Sequence, residues 1–122
     1  MQAALAGNDA TRAAALFSSD AAYEDMTLRA QVLGRLTIER YLGRALSKLP
    51  AGAGSSLLHV VGGEMGSGYE WQAVPAYRAS VQRGSSAITL DQDGKITRLT
   101  TVWDGAMIPD ADIKALMPLA LD

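Results

Sequence analysis

The spacing of apolar positions along the chain changes character near residue 50. Before that point the spacing is mostly helical, with apolar side chains recurring every three to four residues. The helices predicted there lie at 2–6, 10–17 and 36–48. Two short extended segments, 21–26 and 29–33, separate the second helix from the long amphipathic one.

Beyond the turn-rich stretch 50–56 the pattern becomes that of strands. Strands are predicted at 57–62, 69–74, 77–83, 85–90 and 95–104, and one long strand bent at Gly84 is the alternative for the third and fourth. Asp93 and Gly94 form a hairpin turn, and a short helix over 113–116 follows Asp110 as its cap. Helices followed by a run of strands predict one α+β domain over 1–122, with a curved antiparallel sheet wrapped around the long helix.

The candidate chemistry lies in the first strand. Successive strand side chains alternate faces, so Ala21, Tyr23 and Asp25 share one face. If that face points inward, Asp25 is a carboxylate in apolar surroundings, which raises its pKa and makes it a candidate general base. The alternative is a strand-end acid that pairs with Arg29 or Arg35.

Composition excludes several classes of function. Eleven basic and thirteen acidic residues give a formal net charge of −2, which argues against a nucleic-acid or anionic-membrane partner. The absence of cysteine and the single histidine argue against a metal site of the usual kind, and no cofactor is implied. No apolar run is long enough to span a membrane and no basic leader opens the chain, so a cytoplasmic protein is expected.

The order of elements and several local motifs resemble the nuclear-transport-factor-2-like, or SnoaL-like, superfamily, which includes ketosteroid isomerases, polyketide cyclases and limonene epoxide hydrolases. The matching segments are Ala-Gly-Asn-Asp-Ala at 6–10, Ala-Leu-Phe-Ser-Ser-Asp-Ala-Ala-Tyr-Glu-Asp at 15–25, Gly34 with Ile-Glu-Arg-Tyr-Leu at 38–42, Tyr-Glu-Trp at 69–71, 93–99 and Val-Trp-Asp at 102–104. The resemblance implies a cystatin-like α+β barrel, a cone with an internal pocket, and a homodimer. The fold alone does not fix the reaction.

The resemblance also implies roles for single residues. Asp25 falls on the general base of the ketosteroid isomerases. Their oxyanion tyrosine would fall at or before Met1, and their protonated oxyanion aspartate falls on Ser86. Tyr23 matches a tyrosine of the epoxide hydrolases, whose arginine and two aspartates find no match here. Asp104 is similar to an aspartate of the SnoaL-like cyclases.

Other residues are weighed against plainer interpretations. Tyr23 is expected to orient substrate or Asp25, or to be a core aromatic. The remaining candidates are substrate-lining residues that could equally be core: Phe17, Trp71, Ser86 and Trp103. His59 is more typical of a sheet surface or subunit interface than of catalysis, and Asp104 is expected on the outer face, opposite to Trp103.

Three hypotheses follow. The first is a cofactor-free enzyme in which Asp25 removes a proton from an apolar ketone, polyketide or similar substrate, giving isomerisation, cyclisation or dehydration. The second is a non-catalytic ligand-binding or dimerisation module. The third is an epoxide-opening enzyme with a different set of catalytic residues.

Overall fold

The computed structural model describes residues 9–45, 55–73, 82–104 and 110–120. Its helices are α1 (Ala10–Ala14), α2 (Arg35–Ala45) and α3 (Asp110–Leu116), the last continued by a short 3-10 helix (Met117–Ala120). Its strands are β1 (Phe17–Asp25), β2 (Ala30–Leu33), β3 (Ser55–Gly63), β4 (Gly66–Ala73), β5 (Gln82–Leu90) and β6 (Ile96–Trp103).

The strands form one six-stranded sheet in the order β2-β1-β6-β5-β4-β3, so the predicted α+β class is confirmed. Two details differ from the sequence-based expectation. The sheet is not purely antiparallel, because β1 and β6 run parallel, and it stays open, with β2 and β3 as edges. The parallel pair arises because the chain passes from β1 to β2, then through α2 to β3 at the far edge, and returns through β4 and β5 to β6 beside β1.

Several helix and strand boundaries also differ from the predicted ones, because the backbone pairs with distant strands. The helix predicted over 10–17 ends at Ala14, because the backbone beyond it pairs with the last strand, where Ile96 N donates to Leu16 O. Phe17 therefore opens β1. Gln82–Leu90 is one continuous strand through Gly84, as the bent-strand alternative had it. The predicted elements at 2–6, 46–48 and 77–81 lie outside the described residues.

Helix α2 covers one face of the sheet, which we call the inner face. It packs on β1 and β2 with four buried side chains, Ile38, Tyr41, Leu42 and Ala45. Ala21, Tyr23 and Asp25 of β1 are buried on the same side, as strand alternation predicted. The core thus lies between α2 and the inner face, around the carboxylate of Asp25.

Candidate functional site

The register of the sheet aligns four polar side chains in one row across the inner face. Tyr69 of β4 pairs with Ser86 of β5, Ser86 pairs with Thr101 of β6, and Thr101 pairs with Asp25 of β1. All four side chains are buried. The neighbouring rows are mostly apolar, one with Trp71 and Trp103 and the other with Tyr23 and Leu99. The inner face is therefore an apolar surface crossed by these four polar side chains, which we call the polar row.

The Asp25 carboxylate is held by neutral donors. Its Oδ1 accepts the backbone N–H of Leu28 at 3.0 Å, and its Oδ2 accepts the indole Nε1–H of Trp103 at 3.0 Å. The turn after β1 aims the Leu28 amide back at the strand end, and Arg29 completes that turn in the left-handed region at φ 55°. Arg29 itself is exposed, so the ion-pair alternative for Asp25 finds no support in the turn.

Burial dominates the electrostatics of Asp25, which is only 1% exposed. Desolvation raises the pKa of Asp25 above its ordinary value, and hydrogen bonds from Trp103, Leu28 and Thr27 oppose part of that shift. A carboxylate with a raised pKa is a stronger base than an exposed one. Its protonation is more favourable here, because the neutral carboxyl group carries no charge in the buried interior.

Thr27 fixes the position of Trp103 relative to Asp25. Its hydroxyl donates to the Trp103 carbonyl at 2.6 Å and accepts the Trp103 backbone N–H at 2.8 Å. The turn that supplies a backbone donor to Asp25 is thereby tied to the strand end that supplies the indole donor. Thr27 acts on the carboxylate through Trp103 and is a positioning residue.

A second indole serves the middle of the polar row. Trp71 Nε1 donates to Ser86 Oγ at 3.1 Å, and Ser86 Oγ donates to Thr101 Oγ1 at 2.8 Å. The Trp71 ring lies directly over Gly84, where an added Cβ would come within 2.2 Å of the ring. The single Ser86 proton is thus engaged with Thr101 in this arrangement.

Three of the chain's four tyrosines are buried in the interior: Tyr23, Tyr41 and Tyr69. The Tyr23 ring packs against Tyr41 of α2, with ring centroids 5.6 Å apart. Burial raises the pKa of Tyr23, Tyr41 and Tyr69, and the charge of Asp25 raises those of Tyr23 and Tyr41 further. All three are neutral at physiological pH and can donate hydrogen bonds.

The hydroxyls of Tyr41 and Tyr69 are buried and have no hydrogen-bond partner among the described residues. Ser86 lies near enough to Tyr69 to lower its pKa against the effect of burial, but the two groups do not reach hydrogen-bond geometry. The sequence-based interpretation assigned no role to either tyrosine. The available signal was a hydroxyl at an inward position of an apolar helix or strand, where a phenylalanine would pack equally well.

The other predicted site residues divide into two groups. Phe17 is buried with its ring 6.5 Å from that of Tyr23, so it belongs to the wall of the same interior. His59 lies exposed on the edge strand β3, and Asp104 is exposed at the end of β6, opposite in direction to Trp103. Neither is near Asp25 by sheet register.

An open groove of about 470 Å³ lies elsewhere, between α1 and α2. Ala10, Leu36 and Gly43 contribute to its lining, and none of its lining residues belongs to the polar row. Within the described ranges, no three histidine, cysteine or acidic side chains cluster closely enough to hold a metal ion. None of the described helices has the length and apolar character needed to cross a bilayer.

Comparison with solved structures decides the fold family. An uncharacterised bacterial protein with a cystatin-like fold, from Silicibacter pomeroyi DSS-3, matches 99% of this chain and 79% of its own at a TM-score of 0.75 and 21% identity. A steroid delta-isomerase from Pseudomonas aeruginosa matches 97% of this chain and 81% of its own, at a TM-score of 0.69 and 17% identity. Further matches are described as ketosteroid isomerase-like or NTF2-like proteins. The chain has the NTF2-like fold.

A third match is an epoxide hydrolase/cyclase-like enzyme with a role in pyran ring formation in the polyether salinomycin. It covers 86% of this chain and 85% of its own at a TM-score of 0.65 and 13% identity. No protein-family model and no curated protein sequence matches the chain. At these identities the NTF2-like neighbours establish the fold, and the reaction has to be argued from the site.

Proposed function

We propose that this NTF2-like protein is a cofactor-free enzyme that removes a proton from the carbon next to a carbonyl group of an apolar small molecule. One observation carries the proposal: Asp25 is 1% exposed, and the donors that hold its carboxylate among the described residues, Trp103 and Leu28, are neutral. Neutral donors offset the desolvation of a buried charge less than a cation would, so the pKa of the carboxylate stays raised. A base gains from neutral donors, which orient the carboxylate without abolishing its basicity.

The proposed step moves one proton and one electron pair. Asp25 takes the proton from the α-carbon, the electron pair of the C–H bond shifts into the C–C bond, and the carbonyl oxygen receives the charge. The carboxyl becomes neutral, which burial favours. Return of the proton to a different carbon gives isomerisation, and attack of the enolate on a second carbonyl gives cyclisation.

Two features support an organic, apolar substrate. The walls around the polar row are aromatic and aliphatic, with Phe17, Trp71 and Leu99 buried there. The steroid delta-isomerase shares the fold, which supports the reaction class by analogy. In this proposal Tyr23 orients the substrate or the base.

Deuterium exchange into a simple ketone tests the proposal without knowledge of the natural substrate. In D2O the protein should accelerate loss of the α-proton signals of trans-2-decalone in the NMR spectrum. Asp25→Asn should reduce that rate about a hundredfold or more, the usual contribution of a positioned base. Asp20→Asn, an exposed carboxylate on the same strand, should keep the wild-type rate. Full exchange by the Asp25 variant would exclude Asp25 as the base.

A second candidate is epoxide opening, favoured by the match to the epoxide hydrolase/cyclase-like enzyme. Asp25 would then take a proton from a hydroxyl whose oxygen attacks the epoxide carbon. The epoxide C–O bond breaks, and the alkoxide that is released takes up a proton from water. Incubation with an epoxy-alcohol that can close to a cyclic ether separates the two reactions by product. If neither ketone exchange nor ring closure depends on Asp25, a non-catalytic ligand-binding module is the better description.

Assembly and location are separate proposals. The outer face of the sheet exposes Leu33, Val61 and Val102, and we propose that a second copy covers it. Leu99, which the sequence had suggested as part of an apolar outer face for a second subunit, instead lies buried on the inner face because it pairs with Tyr23. Analytical ultracentrifugation that finds a monomer at micromolar concentration would contradict the homodimer. The cytoplasmic location stays a prediction.

A further inference from the structure

The outer edge of strand β3 is left open by the fold. Within the described part of the chain no strand pairs with that edge, so its outward backbone N–H and C=O groups have no neighbouring strand. Four side chains of β3 are large, apolar and 42% to 72% exposed: Leu57, Leu58, Val60 and Val61. An edge with unpaired backbone groups and apolar side chains is a template on which another strand can pair.

The opposite edge of the sheet is protected by comparison. Strand β2 has only four residues, follows the charged Arg29 and is contacted by the 3-10 helix at 117–120. Strand β3 has nine residues, none of which is Lys, Arg, Asp, Glu or Pro. Its bulge between Leu57 and His59 leaves residues 59–63 in regular register with β4. Short length, charge and proline are the features by which natural edge strands avoid further pairing, and β3 has none of them.

Both faces of β3 are apolar. Val60 pairs with Tyr69 of β4, so Val60 lies on the inner face. Val61 pairs with Gly68 and lies on the outer face. A partner packed against one face of the sheet would leave the other valine exposed. A strand added at the edge contacts both, because its side chains alternate between the two faces.

The residue types of β3 follow nearly the same order in both directions. His59 is central, with two apolar residues on each side at 57–58 and 60–61, and small residues at both ends, serines at 55–56 and glycines at 62–63. A two-fold interface is self-complementary, since the same surface is used by both copies. An antiparallel pair centred on His59 brings the apolar residues of one copy beside those of the other. No Lys, Arg, Asp or Glu within β3 opposes that contact.

We propose that two copies of this chain pair antiparallel through β3, with the two-fold axis at His59, and so join their sheets edge to edge. The contact differs from the outer-face packing proposed above, because it uses the backbone edge and both faces of one strand. It does not depend on the proposed reaction. Since Val60 continues the row of Tyr69 and Ser86, the second copy borders the β3 end of the inner face.

A single introduced cysteine reports the contact, because the chain contains no cysteine of its own. Opposed side chains on antiparallel strands have Cβ atoms about 5 Å apart, close enough for a disulfide after a small movement. His59→Cys should form a disulfide-linked dimer as its main product under oxidised glutathione, measured on a non-reducing gel. Met65→Cys is the control for random collision. Met65 is 68% exposed in the turn after β3, and its variant should stay mostly monomeric.

Charge substitutions in the His59→Cys protein test the edge itself. Val60→Lys should reduce the crosslinked fraction about tenfold, because a lysine on an edge strand opposes pairing and the axis brings two of them together. Val102→Lys adds the same charge on the outer face at a similar exposure, 48% against 55% for Val60, and should leave the crosslink unchanged. Circular dichroism should show both variants folded, since both positions are exposed.

Hydrogen exchange tests backbone pairing in the unmodified protein. Amides of β3 should exchange more slowly as the protein concentration is raised, because pairing adds hydrogen bonds at the edge. Amides of β2, at the opposite edge, should exchange at a rate that does not depend on concentration.

Three results would overturn the inference. The first is equal crosslinking of His59→Cys and Met65→Cys. The second is a crosslink that persists with Val60→Lys. The third is β3 exchange that is independent of concentration while sedimentation finds a dimer, which would mean that the copies meet through another surface.

Discussion

Trp71 and Trp103 occupy the same row of the inner face, on either side of Gly84, and each donates its indole N–H to an oxygen in the polar row. The Trp103 acceptor is a carboxylate whose pKa burial has raised. The Trp71 acceptor is the hydroxyl of Ser86, which donates in turn to Thr101. The first donor holds a carboxylate whose pKa remains raised, and the second completes a chain of neutral hydrogen bonds.

The comparison shows that an indole hydrogen bond can serve catalysis or the fold, depending on whether its acceptor is a carboxylate or a hydroxyl. A neutral hydroxyl that both accepts and donates is satisfied and serves the fold. A carboxylate that only accepts retains lone pairs for a proton. This separates Asp25, proposed as the base, from Ser86, whose proton is engaged with Thr101.

The largest expected effect comes from adding a side chain at Gly84, the glycine between the two tryptophans. Gly84→Ala places a Cβ within 2.2 Å of the Trp71 ring, so the indole has to move and its bond to Ser86 is lost. We expect a loss of about 3 kcal/mol in the free energy of unfolding, measured by urea denaturation. Gly63→Ala, where a Cβ meets nothing within 4 Å, is the matched control and should change stability little. An equal loss in both variants would show that the Trp71 contact is not the cause.

Matched variants of the two tryptophans test whether only the Trp103 indole affects the pKa of Asp25. Trp103→Phe and Trp71→Phe each remove an indole N–H and leave a cavity, and we expect each to cost about 2 kcal/mol of stability. Only Trp103→Phe should raise the pKa of Asp25, because it removes a hydrogen bond that lowers it. The pH profile of ketone exchange should therefore move to higher pH in that variant alone. A profile that moves equally in both would refute the division between the two sites.

Ser86→Ala should have a smaller effect. It removes the acceptor of Trp71 and the donor to Thr101, and we expect a loss of about 1.5 kcal/mol in the free energy of unfolding. Ketone exchange should keep its pH profile, since no contact to Asp25 is lost. A large fall in exchange rate at unchanged stability would instead assign Ser86 to the reaction.

The smallest effect is a pH dependence of stability. The folded pKa of Asp25 is raised above 3.8, so its ionisation opposes folding; its favourable contribution is complete below 3.8 and is lost as pH rises through the folded value. Asp25→Asn removes this loss. The variant should therefore gain stability relative to wild type as pH rises from about 3.8, and the gain should level off above the folded pKa. A difference that does not change with pH would mean that the pKa of Asp25 is the same in the folded and unfolded chains.

The sequence was informative where a local pattern decides the outcome. Alternation in 21–25 correctly put Tyr23 and Asp25 on one face, which the structure shows to be buried, and the Asp93-Gly94 turn correctly joined β5 to β6. The predicted helix was wrong at Leu16 and Phe17. The helical spacing of apolar residues continues there, but the backbone pairs with Ile96 instead. A partner 80 residues away leaves no trace in a local window of sequence.

The chain by itself thus determined its α+β class and the shared strand face of Tyr23 and Asp25, since periodicity, turn residues and alternation are local properties. The order of its elements and its local motifs gave the NTF2-like resemblance. Only the tertiary structure decided which groups meet that acid. The register of four strands aligned Tyr69, Ser86 and Thr101 with Asp25, and helix packing placed the Tyr41 ring against Tyr23, with no hydrogen-bond partner for its hydroxyl in the described part of the chain. Those contacts join residues far apart in the chain, and they exist only after the sheet has fixed its register against α2.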